Sequence, residues 1–165
     1  MISKYSNILD DCNANGIDGR SWQTVVTGLW FSPAVRILLS HRIQRRLKEK
    51  GGAFRVALAR MLWMRTVNKW GCDIGNQAEI APGLHLPHPV GVVIGNFTVV
   101  EAGCAIYQNV TLGDCLGKNP GRPTVRAGSI IYAHAVVLGP VEIKGVVRAQ
   151  ELVMPPRKTR KAKTA

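Results

Sequence analysis

From Ile74 onward, aliphatic residues return every six positions. They stand at Ile74, Ile80 and Leu86, then at Ile94, Val100, Ile106 and Leu112, then at Val125, Ile131, Val137 and Ile143. A period of six kept through about eleven units is the mark of a parallel β-solenoid, in which each flat side is one short strand and three sides make a coil. The aliphatic residues then point inward and stack from coil to coil at roughly 4.8 Å, the usual strand separation. About four coils fit. Small or apolar residues recur four positions later, at Ala78, Leu84, Val90, Thr98, Cys104, Val110, Ser129, Ala135, Val141 and Val147. Glycine or alanine often follows the aliphatic residue (Gly75, Ala81, Gly95, Gly113), as a chain turning a tight corner requires.

Two interruptions break the period. The interval from Leu86 to Ile94 is eight, and that from Leu112 to Val125 is thirteen, filled by GDCLGKNPGRPT. Glycine, proline and charge make the second insertion, 113–124, a loop projecting from the solenoid, and such insertions usually lie on a functional face. After Ile143 one more unit, IKGVVR, reads as repeat, whereas AQELVMPP does not. The solenoid is therefore expected over 71–148 with a short or truncated C-terminal end, followed at 149–165 by a basic tail without apolar period, expected to be disordered. A short solenoid leaves exposed coil ends, so association with copies of itself is expected.

Residues 1–70 read as helical. Val35, Leu39, Ile43 and Leu47 recur every four positions with Leu38 beside them, behind a Ser32-Pro33 cap. Gly51-Gly52 interrupts the helix, and Phe54, Leu58, Met61 and Leu62 form a second stripe. The expectation is an α-helical hairpin ahead of the solenoid.

Lys and Arg number 22 against 10 Asp and Glu, a formal charge of +12. That balance invites nucleic acid, a membrane surface or a phosphorylated cofactor. The excess sits on the hairpin, the loop and the tail. Leu29-Trp30-Phe31 at the hairpin's start makes peripheral membrane contact one reading of the basic helices. Only 6% of residues are aromatic and none lies in the tail, so nucleic acid is not expected as a partner. The best apolar run, VALARMLWM, is broken by arginine, and acidic residues stand where a signal peptide carries its apolar core, so a cytoplasmic chain is expected. Cys12, Cys72, Cys104 and Cys115 are 60, 32 and 11 positions apart, which matches no metal-ligand spacing, and no metal is expected.

Over residues 33–147 the chain resembles the left-handed β-helix (hexapeptide-repeat) acyltransferases, and among them the serine acetyltransferase family. The resemblance is carried by PAVRILLSHRIQRRL, by GCDIGNQAEIAPGLHLPHPVGVVIG, by VVEAGCAIYQNVTLG, by the loop and by AGSIIYAHAVVLGPVEI. It implies a left-handed parallel β-helix, acetyl-CoA as co-substrate, a homotrimer or dimer of trimers, and direct transfer of acetyl to a hydroxyl. The matched motifs put the general base on His88, in LPHPVG, and its orienting carboxylate on Asp73, in CDIG, fifteen residues earlier. An imidazole titrates near neutrality, and a carboxylate fixes its tautomer and stabilises the cation. Fifteen residues is nearly one coil, so the two are expected on neighbouring rungs.

The resemblance also implies that Gly113, Ala133 and Gly139 line a groove for CoA between adjacent solenoids. A backbone N–H there would stabilise the oxyanion, and Lys118 would be a cation for the CoA phosphates. The family has aspartate immediately before its catalytic histidine, where this chain has Pro87. It has an arginine–histidine pair before the loop proline, where this chain has Gly121-Arg122-Pro123. Arg122 and Pro87 are thus the candidate acceptor contacts. With those polar groups changed, the acceptor is either L-serine, as in cysteine biosynthesis, or a sugar hydroxyl. A non-catalytic trimeric scaffold is the reading from another class. His41, His85 and His134 are expected in structural or solvated roles.

Overall fold

The computed structural model describes residues 6–18, 22–115 and 121–156. Four helices come first: α1 (Ser6–Ala14), α2 (Trp22–Phe31), α3 (Pro33–Glu49) and α4 (Ala53–Trp70). Short strands follow, β1 (Asp73–Ile74), β2 (Glu79–Ile80), β3 (Val93–Ile94), β4 (Val99–Val100), β5 (Ala105–Ile106), β6 (Thr111–Gly113), β7 (Thr124–Val125), β8 (Ile130–Ile131), β9 (Val136–Leu138), β10 (Glu142–Ile143), β11 (Val146–Val147) and β12 (Leu152–Val153).

All pairing is parallel, and the strands sort by threes. β1, β3, β6, β9 and β12 stack as a first sheet, β2, β4, β7 and β10 as a second, and β5, β8 and β11 as a third, which a His85–Ala105 bridge extends. The chain therefore winds round a three-sided prism. In register, Ile74, Ile94, Leu112 and Val137 stack along one inner wall, Ile80, Val100, Val125 and Ile143 along the second, and Ile106, Ile131 and Val147 along the third. All are buried in one continuous core, as the period of six requires.

Three features differ from the sequence expectation. The core residue at the first corner is Val92, fully buried, whereas Val90 is exposed. The two extra residues between Leu86 and Ile94 bulge out and move the inward position by two. At the other end, β12 pairs with β9, Leu152 opposite Val136 and Val153 opposite Val137, so the solenoid extends beyond 148 into the segment expected to be tail. Ile143 and Val147 are four apart rather than six, through a short corner at Gly145 (φ 92°), and the phase of the period is lost there. Counting on from Val147 restores it at Val153.

The third difference lies in the helices. α3 begins as expected: the Ser32 hydroxyl accepts from the Val35 N–H (3.3 Å) and Pro33 occupies the first turn. Gly51 (φ 64°) and Gly52 (φ 89°) make the turn into α4, which stops at left-handed Gly71. The face of α3 that closes the end of the solenoid core, however, is Ala34, Ile37 and Leu38, continued by buried His41 and Gln44. The stripe of Leu39 and Ile43 instead faces α4, where the Ser40 and Thr66 hydroxyls meet at 3.0 Å. Val35 packs with Cys12 and Val25 of α1 and α2. In α4 the buried residues are Ala59 and Thr66, and the expected core residues Phe54 and Met61 are exposed.

The basic face of α3 fastens it to the solenoid. The first coil has no coil before it, so its outer backbone groups lack the partners that inner coils supply to one another. Arg45 donates to the Ala78 carbonyl (2.8 Å) and Arg42 to Ile80 (3.2 Å). The Asp11 carboxylate accepts from the Gly83 N–H (3.0 Å). Asn15 donates to the Leu84 carbonyl and accepts from the Leu86 N–H, both at 2.9 Å. Lys48 reaches Asn76 (2.8 Å).

Candidate active site

Three edges join the sheets, and the candidate residues fall on two of them. The edge leading from the third sheet into the first carries Pro87 and His88, then Asn109, Ala133 and His134 on later coils. His88 stands exposed between Pro87 and buried Pro89, and it lines a cleft with Asn15, Ser32 and His85. Among the described residues its imidazole has no hydrogen-bond partner, so the ring is open to an incoming hydroxyl. The backbone steps regularly along this edge: the Asn109 N–H donates to the Val90 carbonyl and that of Gln150 to Ala133, both at 3.0 Å.

Asp73 opens β1 at the end of the same edge, half-buried. Its Oδ1 accepts from Trp63 Nε1 of α4 at 2.8 Å. The His88 corner is tied to this segment by the Gly91 N–H, which donates to the Gly71 carbonyl at 2.8 Å. No hydrogen bond or ion pair joins Asp73 to His88 among the described residues. They line separate clefts, and one oxygen of the carboxylate is taken by the tryptophan.

The edge from the first sheet into the second carries Gly113, the insertion loop and Gly139. Gly113 closes β6, and its carbonyl accepts from the Gly139 N–H at 2.9 Å. A Cβ at Gly139 (φ 83°) would lie 2.6 Å from Cys115 Sγ, so only glycine fits. Gly139 is buried beneath Cys115 and Pro155, so its glycine is explained by this close packing. Arg122 pairs with Asp114 (3.3 Å) and lies 5.4 Å over the Phe97 ring. Lys118 lies outside the described residues. Within one chain, then, Arg122, Gly113 and Gly139 are not brought to His88, Pro87 and Ala133.

His41, Cys72 and Cys104 are buried in the fold. His41 is 3% exposed with neither ring nitrogen hydrogen-bonded. Burial, aided by neighbouring Arg42, lowers its pKa to about 4, and the backbone of Gly75 and Ala78 offsets only part of this. Burial pushes the Cys72 thiol up to about 12 and raises that of Cys104, which donates to the Arg126 carbonyl (3.1 Å), so neither is a poised nucleophile. Arg126 bridges Glu101 (2.8 Å) and Glu142 (2.7 Å). The Ala127 N–H and Arg126 hold the Glu101 carboxyl below its usual range, and Arg126 does the same for Glu142.

Asn15, at the cleft beside His88, was not singled out from the sequence. The only signal was Asn15-Gly16, a common helix ending, which says nothing of what the amide would meet sixty-nine residues on.

A three-sided parallel solenoid of six-residue repeats, with an exposed histidine on one edge, defines the class: a left-handed β-helix, the fold of the solved structures with which it aligns. The relatives are more particular. No family model matches the chain. A putative serine acetyltransferase of Schizosaccharomyces pombe is 41% identical over 91 residues, covering 53% of this chain and 34% of the relative. The serine acetyltransferase of Haemophilus influenzae is 33% identical over 137 residues, covering 81% and 51%. Among solved structures, the Neisseria gonorrhoeae serine acetyltransferase aligns with TM-score 0.77 at 28% identity, covering 93% of this chain and 60% of its own. A serine acetyltransferase in complex with CoA (TM-score 0.76, 28% identity) covers 92% and 62%, and one in complex with cysteine (0.77, 29%) covers 92% and 63%. The resemblance read from the motifs is borne out, and this chain is a homologue of the serine acetyltransferases. It spans from a third to about half the length of these curated relatives.

Proposed function

We propose that this chain is an acetyl-CoA-dependent O-acetyltransferase of serine acetyltransferase type, cytoplasmic, with about four coils behind a helical hairpin of α3 and α4. The observation that carries the reading is the exposed, unpartnered imidazole of His88 at the corner matching the family's catalytic motif. His88 removes the proton of the acceptor hydroxyl as its oxygen attacks the thioester carbonyl. A backbone N–H lining the groove stabilises the oxyanion, and collapse forms the ester and expels the CoA thiolate, which takes the proton back from His88. Asp73 orients the ring through its second carboxylate oxygen, with Trp63 holding the first.

The two-edge distribution supports a homotrimer. In a ring of three, the His88 edge of one copy meets the Gly113–Gly139 edge of the next, and base, acceptor contacts and thioester share one groove. L-Serine is the first acceptor. A sugar hydroxyl is the second reading, favoured by Pro87, which offers no carboxylate to an amino-acid ammonium group. The test measures thiol release from acetyl-CoA with L-serine and a sugar panel, for the native chain and His88→Ala. Acceptor-dependent release lost in the variant supports the reading. Equal background release in both, with no CoA binding by calorimetry, overturns it in favour of a scaffold.

A further inference from the structure

The outer face of α4 is unlike the surface of a helix that only packs on a neighbour. Ala59 and Thr66, two turns apart, are its buried residues. On the opposite side Phe54 is 80% exposed and Met61, also two turns on, 63%, with Met64 about half exposed. The helix is apolar on both sides, and its outer stripe is flanked by Arg60, Arg65 and Lys69. α4 contains no acidic residue, and no carboxylate pairs with these three cations among the described residues. The arginines of α3 differ, since Arg42 and Arg45 serve the first coil.

A second apolar pair adjoins the end of this helix. Trp30 is 71% exposed and Phe31 83%. Arg36 holds the end of α2 there, donating to the Leu29 and Trp30 carbonyls while its guanidinium lies 5.8 Å over the Trp70 ring of α4. Large apolar side chains flanked by unpaired cations, on a helix lying along a rigid body, suit the boundary between headgroups and acyl chains. No described helix is long and apolar enough to cross a membrane, so the mode is lying on the surface. A second copy docking through the same face fits worse, because two such faces would oppose Arg60, Arg65 and Lys69 with no acid to answer them.

We propose that the outer face of α4, with Trp30 and Phe31 at its end, docks this protein on an anionic lipid surface. The charges draw the face to the headgroups, and Phe54, Met61, Met64, Trp30 and Phe31 enter the interface.

The test is co-sedimentation of the full chain with vesicles of phosphatidylglycerol and phosphatidylcholine, and of phosphatidylcholine alone. The native chain should bind the anionic vesicles at least tenfold more strongly than the neutral ones, and weaken as salt rises. F54S/M61S/M64S should lose roughly tenfold in partitioning while its thermal unfolding and sedimentation velocity without lipid stay unchanged. Because that variant keeps the basic tail, undiminished binding by it would overturn the proposal. So would absence of binding to anionic vesicles, or a smaller assembly of the variant without lipid, which would make the face an interface between copies.

Discussion

Asp11 grips Arg42 with both oxygens, Oδ2 to Nε at 2.6 Å and Oδ1 to Nη2 at 2.8 Å, where α1 crosses α3 at the mouth of the first coil. The carboxylate is fully buried and the arginine side chain 11% exposed. The pair closes the solenoid, since Asp11 also takes the Gly83 N–H and Arg42 the Ile80 carbonyl. Removing one partner leaves a buried charge alone. Asp11→Ala and Arg42→Met should each lower unfolding free energy by about 3–5 kcal/mol in urea titration, because each leaves the other partner's charge buried without its counter-ion.

His41 makes the fold sensitive to acid. Its pKa is about 4 folded, against 6.5 when unfolded, so between these values the unfolded chain binds more protons. The stability is present above pH 6.5 and is lost as pH falls towards 4, by about 3 kcal/mol in all at roughly 1.4 kcal/mol per unit. Glu101 and Glu142, held low, lose their contribution in the same direction at lower pH. His41→Leu should flatten the fall between pH 6.5 and 4 in urea titrations across pH, and an unchanged slope would assign it elsewhere.

Two glycines separate backbone strain from crowding. Gly91 (φ 72°) and Gly128 (φ 71°) share a left-handed conformation, but a Cβ at Gly91 would sit 1.9 Å from Asn109 Oδ1, whereas Gly128 has nothing within 4 Å. Gly128→Ala should cost about 1–2 kcal/mol, the left-handed penalty alone. Gly91→Ala should cost more and should also disturb the His88 edge. Equal losses in chemical denaturation would refute the distinction.

The last strand can be checked by parity. Val153 packs on the core and Leu152 faces out, so Val153→Asp should destabilise by about 1–3 kcal/mol and Leu152→Asp by no more than about 0.5. Similar melting temperatures for the two would mean that the coil ends earlier.

A site shared between copies predicts complementation. His88→Ala and Arg122→Ala should each be inactive in acetyl transfer, whereas mixed subunits should regain about a quarter of the activity, the chance that a native His88 edge meets a native Arg122 edge in a random ring. No recovery would place the site within one chain.

The solenoid was legible because its period is a local property: each inward aliphatic residue meets its counterpart one coil away, whatever else the chain does. The reading failed where spacing changed. Two residues added before Ile94 shifted the inner position to Val92, and two removed before Val147 hid β12. Helix periodicity found α3 and α4 but not their buried faces, because α3 touches the solenoid, α4, α1 and α2 at once and its apolar stripe cannot say which neighbour it meets. The motifs marked His88 and Asp73, and the resemblance to serine acetyltransferases held against the relatives. That Asp73 bonds to Trp63, and that Arg122 lies on another edge from His88, could not be read from spacing.

The sequence by itself determined the β-helix, its resemblance to the serine acetyltransferases and a positive charge of +12 concentrated on the helices. Only the tertiary structure divided that charge. A solenoid must begin somewhere, and its first coil turns unpaired carbonyls outward, so Arg42 and Arg45 are drawn to one particular end of the core. On α4, Arg60 borders the groove against the first coil and Arg65 and Lys69 the groove against α3, yet none of the three pairs with a carboxylate among the described residues, so their charge is kept for the surface.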